Sequence, residues 1–408
     1  MAADSIRIHS ASWVVPVSSA PIRNGGVAVA DGTLLAVGET ARLRQQYPKA
    51  TVTEHRQAAL TPALINAHTH LELSHLTALT ESPLDTTFTG WIDRLLHLRG
   101  HLGATGEQAE QAARRTAEHQ YHTGVSVLAD IGNTTINRSL AAAFPGRLLP
   151  FTEYLGLAER TLTKNEQRLA QENDATLCSA HAPYSTHPHL LCRLKERARA
   201  LGHIFPIHTA EPASEGEMIR EGRGEMVEFI RQRGFWDDSF VPRGNGGTIH
   251  YFHGLGLLDS KTLCIHAIHV TGEEIQIMAG EGVKVCLCSG SNQFLRTGTP
   301  PVRAYLDHGI LPALGTDSLA SNPHLSLWRE MRILIEAHPT VKASEIFRMA
   351  TLGGAEALGL ERYLGTLTAG KEADLLVMPL PADVEHEEQV YRFLTENGGQ
   401  VEPDRIPK

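Results

Sequence analysis

Residues 61–76, TPALINAHTHLELSHL, place two histidines one residue apart at the end of a short apolar run. Thr61-Pro62 makes a turn-like entry, and the apolar run after it is short, so the segment reads as a buried strand. Alternate side chains of a strand share a face, so His68 and His70 present two imidazoles side by side toward one point. That is half of a metal site. The chain has 22 histidines, so a chance H-x-H is also expected, and the remaining ligands must come from elsewhere in the sequence.

The 408 residues are 42% hydrophobic and 20% charged, ordinary values for a globular protein. The length accommodates one large α/β domain and a smaller one. A net charge of −9 gives no basic footprint for nucleic acid or an anionic membrane. No run approaches the roughly 18 apolar residues of a spanning helix, and MAADSIRIHSASWVV lacks a cationic segment followed by a signal core. A cytoplasmic protein acting on a small molecule is expected; association into a homo-oligomer is left open. Five cysteines in so long a chain do not make a disulfide framework and suggest free thiols in a reducing compartment. Cys286 and Cys288 share a strand face, and buried free cysteine is the expected reading over a soft metal pair.

Residues 1–57 alternate short β-like runs with Pro- and Gly-rich turns, as in GGVAVADGTLLAVG. From 58 to 364 apolar strands alternate with longer helical stretches. GVSVLADIG, ATLCSAHAP, IFPIHTAE, TLCIHAIHV, VKVCLCS and ILPALGTDS are the strands; 107–123, 187–201 and 214–233 are helix-compatible. Repeated βα units of this length predict a (β/α)8 TIM-type barrel over 58–364. GTLTAGKEADLLVM returns to strand and turn signals, so residues 1–57 and 365–408 are expected to form one small composite β-sandwich domain. Within it, DVEHEEQVYRFLTENGGQ reads as a polar helix and VEPDRIPK as a frayed end.

Polar residues recur where these strands end. His68 and His70 end the first, His181 ends TLCSAHAP, His208 and Glu211 end IFPIHTAE, His266 lies in TLCIHAIHV and Asp317 ends ILPALGTDS. In a barrel of this type all strand C-termini open on one face, where active sites are built. A single histidine at a strand end is unremarkable; five strands sharing the feature call for a common site.

NAHTH, HAPYS, HTAE, CIHAIH, SGSNQFL, LGTDSLASN, ATLGGAEALGL and GTLTAGKEADLLVM, in that order along nearly the whole chain, resemble the metal-dependent amidohydrolase superfamily. The resemblance is to its branch of cytosine deaminase, S-adenosylhomocysteine-type and aminofutalosine deaminases, and triazine hydrolases. It implies that His68, His70, His208 and Asp317 ligate one divalent metal ion, that Glu211 is the general acid/base, and that His266 holds the attacking water and the tetrahedral intermediate, with Asp317 also taking a proton. Imidazoles with a carboxylate suit Zn²⁺ first and Fe²⁺ second. His181 stands where a two-metal site would need a bridging lysine, so one metal per chain is expected.

The substrate is the less determined part. Glu72 either reaches the pocket mouth to accept ribose hydroxyls or is a solvated loop carboxylate. His181 would add a neutral donor near the metal. Trp91 either stacks on a ring or anchors an amphipathic helix. The expected reaction is deamination of a 6-aminopurine nucleoside or a derivative. The alternative within the class is hydrolysis of another C–N or C–Cl bond on a pyrimidine, guanine or triazine ring. A non-enzymatic scaffold is disfavoured, because a scaffold has no need to keep the whole ligand set.

Overall fold

The structure is a computed structural model that describes residues 6–236 and 246–406. The chain begins with β1 (Arg7–Val14), β2 (Ile22–Arg23), β3 (Gly25–Ala30), β4 (Thr33–Glu39) and β5 (Thr51–Pro62). Their apolar positions bury Val14, Val27, Leu34 and Leu60 against one another. β1 pairs antiparallel with β2 and β3 but parallel with β5, and its register with β5 shifts between Ala11 and Trp13. Gln57, with φ +48°, lies at that irregularity, so the expected boundary after residue 57 is a bend inside one strand. β5 runs on to Pro62 and passes almost directly into β6 (Leu64–Thr69).

Eight strands then alternate with helices. β6, β7 (Val125–Gly132), β8 (Arg147–Tyr154) and β9 (Leu177–Ala180) form one parallel sheet. β10 (Phe205–Thr209), β11 (Thr262–His266), β12 (Lys284–Leu287) and β13 (Ala313–Leu314) form a second. Backbone hydrogen bonds cross both seams: His208 N–H donates to His181 O at 2.9 Å, and Thr316 N–H to His68 O at 2.9 Å. A parallel bridge also joins Thr69 to Asp317. The architecture is of the TIM-barrel type. Its strands are apolar on both faces, as strands covered on two sides must be. Ile65, Val127, Ile131, Phe151 and Ile265 belong to one core cluster, while Leu64, Leu128, Leu287 and Leu314 pack in another with helix residues such as Leu191 and Met278.

The helices Glu107–His122 and Pro188–Leu201 match their expected spans. The stretch 214–233 is two helices, Ala213–Glu221 and Glu225–Gln232. Gly222 and Gly224, at φ +65° and +100°, separate them, because a left-handed glycine ends a helix at little steric cost.

The C-terminal segment supplies β14 (Leu375–Pro379), antiparallel to β5, and β15 (Asp404–Arg405), antiparallel to β14. Strands from both chain ends thus join one seven-stranded sheet among the described residues, where two facing layers were expected. Part of the tail that was read as frayed is in fact a paired strand, with Ile406 buried behind it; residues 407 and 408 lie outside the described residues. The helix Glu387–Asn397 buries Val390, Tyr391 and Leu394 in the same core as Trp328 and Phe347. It therefore packs on barrel helices rather than on the small sheet. No helix of the described residues is long and apolar enough to cross a membrane.

Candidate active site

The parallel strands bring His70, His181, His208, Glu211, His266 and Asp317 to one end of the barrel, with His68 just below. Several of these strands end in backbone that L-residues rarely adopt: φ is +49° at Ala210, +69° at His266 and +58° at Asp317. Left-handed non-glycine residues cost on the order of 1–3 kcal/mol and persist where the surroundings over-determine them. Here the bends turn side chains off the strand axis into the barrel mouth.

The histidine geometry asks for a cation. His70 Nδ1 lies 2.8 Å from Ile131 O, and His208 Nδ1 lies 2.7 Å from His181 O. A carbonyl only accepts, so each Nδ1 carries the proton and each Nε2, in the neutral ring, a lone pair. Those two Nε2 atoms face each other at 3.3 Å. A tetrahedral centre with bonds of about 2.0–2.1 Å holds neighbouring ligand atoms about 3.4 Å apart. His68 is fully buried, and neither of its ring nitrogens has a hydrogen-bond partner. Ligand atoms of His68, His70 and His208 all lie within 4.8 Å of one another. Asp317 Oδ1 is 3.7 Å from His68 Nε2 and 3.8 Å from His70 Nε2, while its Oδ2 accepts from Ser291 Oγ at 2.6 Å and Ser321 Oγ at 2.9 Å. The donor set fits a divalent ion: unprotonated nitrogens converge, and the carboxylate leaves one oxygen toward them.

The electrostatics agree. Burial lowers His68 to about 3, and burial with the neighbouring imidazoles takes His208 well below its ordinary value. Burial also lowers His266. For Asp317 burial pushes upward, but the contact with His68 and the nearby His70 outweigh it and hold the carboxyl well below its usual range. Glu211 moves the other way: burial, then the negative charges of Asp317 and Glu215, push it well above the usual carboxylate value. Its Oε1 lies 3.7 Å from His266 Nε2, and His266 Nδ1 lies 2.8 Å from Asn292 Oδ1. The pair faces the same space as the three histidines. A carboxyl that keeps its proton beside a cation-holding cluster can serve as a proton donor and, later, an acceptor.

The expected substrate residues are placed differently. Glu72 is 2% exposed, neither a solvated carboxylate nor a free one: Oε1 pairs with Arg99 Nη2 at 2.7 Å, and Oε2 accepts from Thr134 N at 2.9 Å and Thr134 Oγ1 at 2.6 Å. Arg99 comes from the helix Phe88–Leu102, 27 residues on, a distance at which no local pattern pairs the two. His181 lies in the cluster, its Nδ1 2.5 Å from Ser185 Oγ. Trp91 donates Nε1–H to Ala320 O at 3.0 Å and packs on Phe88, tying its helix to the segment after Asp317. Cys288 is nearer the site than a bland core thiol: its sulfur groups with nitrogens of His68 and His266. Burial raises its pKa well above the ordinary value. Ser291, Asn292 and Ser321 sit inside quoted motifs, and their hydrogen bonds to Asp317 and His266 were not foreseen. Glu153 was missed altogether, and nothing in FTEYLG sets it apart.

A parallel α/β barrel with three histidines and a carboxylate converging at its C-terminal strand ends defines a metal-site hydrolase architecture. Residues 59–400 match the amidohydrolase family. The chain belongs to that family. Residues 25–50 also match an imidazolonepropionase-like composite domain of bacteria. A 5-methylthioadenosine/S-adenosylhomocysteine deaminase of Moorella thermoacetica is 30% identical over 397 residues, covering 91% of this chain and 87% of the relative. Among solved structures, the aminofutalosine deaminase of Helicobacter pylori in complex with methylthio-coformycin superposes with a TM-score of 0.82 at 24% identity, covering 98% of this chain and all of the other. An adenosine deaminase from Xanthomonas campestris with bound zinc gives 0.74 at 23%, covering 96% and 89%. At those identities the solved structures support the fold.

Proposed function

We propose that this protein is a metal-dependent aminohydrolase that converts a 6-aminopurine nucleoside, or a 5′-extended derivative, to the 6-oxo form with release of ammonia. The observation that carries the reading is the approach of the Nε2 atoms of His70 and His208 to 3.3 Å, with Glu211, pushed well above the usual carboxylate range by burial, facing the same space. The relative from Moorella thermoacetica, whose name describes deamination of adenine nucleosides, supports the substrate class. In this reading His68, His70, His208 and Asp317 hold one divalent ion, Zn²⁺ first among those that suit imidazoles with a carboxylate. When bound, such an ion would act as a Lewis acid and lower the pKa of a water toward neutrality.

The remaining steps belong to side chains. Glu211 gives its proton to the purine N1, which makes C6 electrophilic as water attacks. Asp317, held anionic by its surroundings, takes a proton from that water. His266 Nε2, opposite Glu211, hydrogen-bonds the oxygen that becomes the product carbonyl. Glu211, now a carboxylate, takes the proton remaining on that oxygen and hands it to the leaving amine, so the oxygen becomes the oxo group and the amine leaves as ammonia; the proton held by Asp317 then returns to Glu211 for the next turnover. Glu72 orders Arg99 and the loop at Thr134, and His181 lines the ring. Trp91 acts through its hold on Ala320. The seven-stranded sheet built from both chain ends we read as a small composite domain flanking the barrel.

Ammonia release should be measured for adenosine, 5′-methylthioadenosine, S-adenosylhomocysteine, adenine, cytosine, guanine and a chlorotriazine on one preparation. A nucleoside is expected to win by kcat/KM, because remote binding of the sugar orients the ring. Glu211→Gln should keep its metal while kcat falls by roughly 10² or more. A winning pyrimidine, guanine or triazine would reject the substrate class, and near-normal turnover by the variant would remove Glu211 from the mechanism.

A further inference from the structure

Glu153 stands on β8 two residues after Phe151, so the two side chains share a face. Phe151 lies in the core cluster that also contains Ile131 and Ile265, and Glu153 continues that face toward the mouth of the barrel. It is 3% exposed. Its Oε2 accepts from Asn133 Nδ2 at 3.2 Å, whereas Oε1 is buried without a hydrogen-bond partner. A ligand atom of Glu153 lies within 4.8 Å of a ring nitrogen of His181 and of His208. An acidic oxygen with no donor is therefore set beside the proposed reaction centre.

Among the described residues no donor lies within hydrogen-bond distance of Oε1. His208 has its Nδ1 on His181 O and its Nε2 turned toward His70, and His181 has its Nδ1 on Ser185. Arg99, the nearby cation of this network, has one Nη shared between Glu72 and Asn133. A carboxylate oxygen left unmet in a buried site is costly, so such an oxygen selects for a ligand that brings an O–H or N–H.

We infer that Glu153, rather than Glu72, is the carboxylate that accepts a hydrogen bond from a sugar hydroxyl of the substrate. The inference rests on the 6-aminopurine nucleoside reading given above. Within that class the choice of hydroxyl follows from the ring chemistry. N1, N3 and N7 of a neutral adenine are acceptors and cannot satisfy Glu153. The exocyclic amine is at the carbon under attack, facing Glu211. The ribose hydroxyls are the remaining donors common to the class. The same carboxylate repels an anionic group brought to this wall, so it disfavours nucleosides whose substituent would place a phosphate or carboxylate there.

The test compares adenosine with 2′-deoxyadenosine and 3′-deoxyadenosine on wild type, Glu153→Gln and Glu153→Ala, each first checked for metal content. Wild type is expected to prefer adenosine over at least one deoxy analogue by about ten- to a hundredfold in kcat/KM, the size of a hydrogen bond to a charged group. Glu153→Ala should lose about that factor on adenosine while changing little on the disfavoured analogue. Glu153→Gln, which keeps an acceptor oxygen and the side-chain volume, should fall between and carries the comparison if the alanine variant fails to fold. Binding of inosine, read by calorimetry, should weaken in parallel and gives a readout independent of turnover. Equal losses on adenosine and both analogues, with metal retained, would overturn the inference while leaving the nucleoside deaminase reading intact. Failure of wild type to act on any adenine nucleoside would overturn that reading, and the inference with it.

Discussion

At the scale of single residues, the site is defined by ring nitrogens whose lone pairs meet no donor. His68 is the extreme case, fully buried with both ring nitrogens unpartnered and held neutral by burial. A buried polar atom without a partner costs about 1–3 kcal/mol, which a bound cation would repay. His68→Ala is therefore expected to lower bound divalent metal from about one ion per chain toward none, because one of the four bonds to the ion is lost. Metal analysis of gel-filtered wild type and variant decides it: undiminished metal in the variant, or two ions in wild type, rejects the assignment. The ligand candidates were legible in the chain because motif and strand end coincide at each. Glu72 was not, because its fate depends on Arg99 and Thr134, which only the folded chain places beside it.

At the scale of elements, buried carboxylates hold the loops that follow the strands. Asp130 accepts from Leu71 N at 2.7 Å, Glu215 from Ala210 N at 2.6 Å and Glu330 from Gly290 N at 2.7 Å. Each bond fixes a loop that carries a site residue: His70, Glu211 and Ser291. Burial is the first cause that raises Glu215 and Glu330 from 4.5 to about 7. A carboxyl raised on folding binds its proton more tightly in the native state, so its contribution is complete below about pH 4.5 and lost as the pH climbs through about 7. For Glu330 that amounts to roughly 3 kcal/mol. The denaturation midpoint of wild type should therefore fall relative to that of Glu330→Gln between about pH 4.5 and 7. Parallel pH profiles of the two proteins would show that Glu330 does not titrate in this range. Glu215 and Glu330 carried no sequence signal, since an acidic residue on a helix ordinarily reads as a solvated face, and nothing in the apolar strand around Asp130 names Leu71 as its partner.

At the scale of the whole molecule, the two chain ends are bound to the barrel. Arg405 in β15 lies over the Tyr121 ring at 4.0 Å, donates to Tyr121 O at 3.1 and 2.9 Å, and pairs with Asp374 at 3.5 Å. It links the seven-stranded sheet to the helix Glu107–His122. Arg405→Ala is expected to cost on the order of 2 kcal/mol, from the cation–π contact and two hydrogen bonds, with kcat of the folded protein unchanged. A urea titration monitored in the metal-loaded enzyme measures the cost, and an unmoved midpoint would show that the C-terminal strand contributes little.

Strand periodicity, turn residues and the order of short motifs determined the α/β barrel and the histidines that end its strands, because hydrophobic alternation and side-chain direction are local properties of a backbone. They did not determine the bend at Gln57, the break at Gly222 or the packing of the helix Glu387–Asn397 on the barrel. Nor did they determine which carboxylate in the mouth is free. Glu72 and Glu153 are the same chemical group in strand-end segments of similar polarity; one meets Arg99 and the backbone of Thr134, and the other leaves an oxygen unmet. That difference is a matter of which groups lie within about 3 Å after closure of the barrel, and hydrogen bonding at that range is decided by tertiary position rather than by neighbours in the chain.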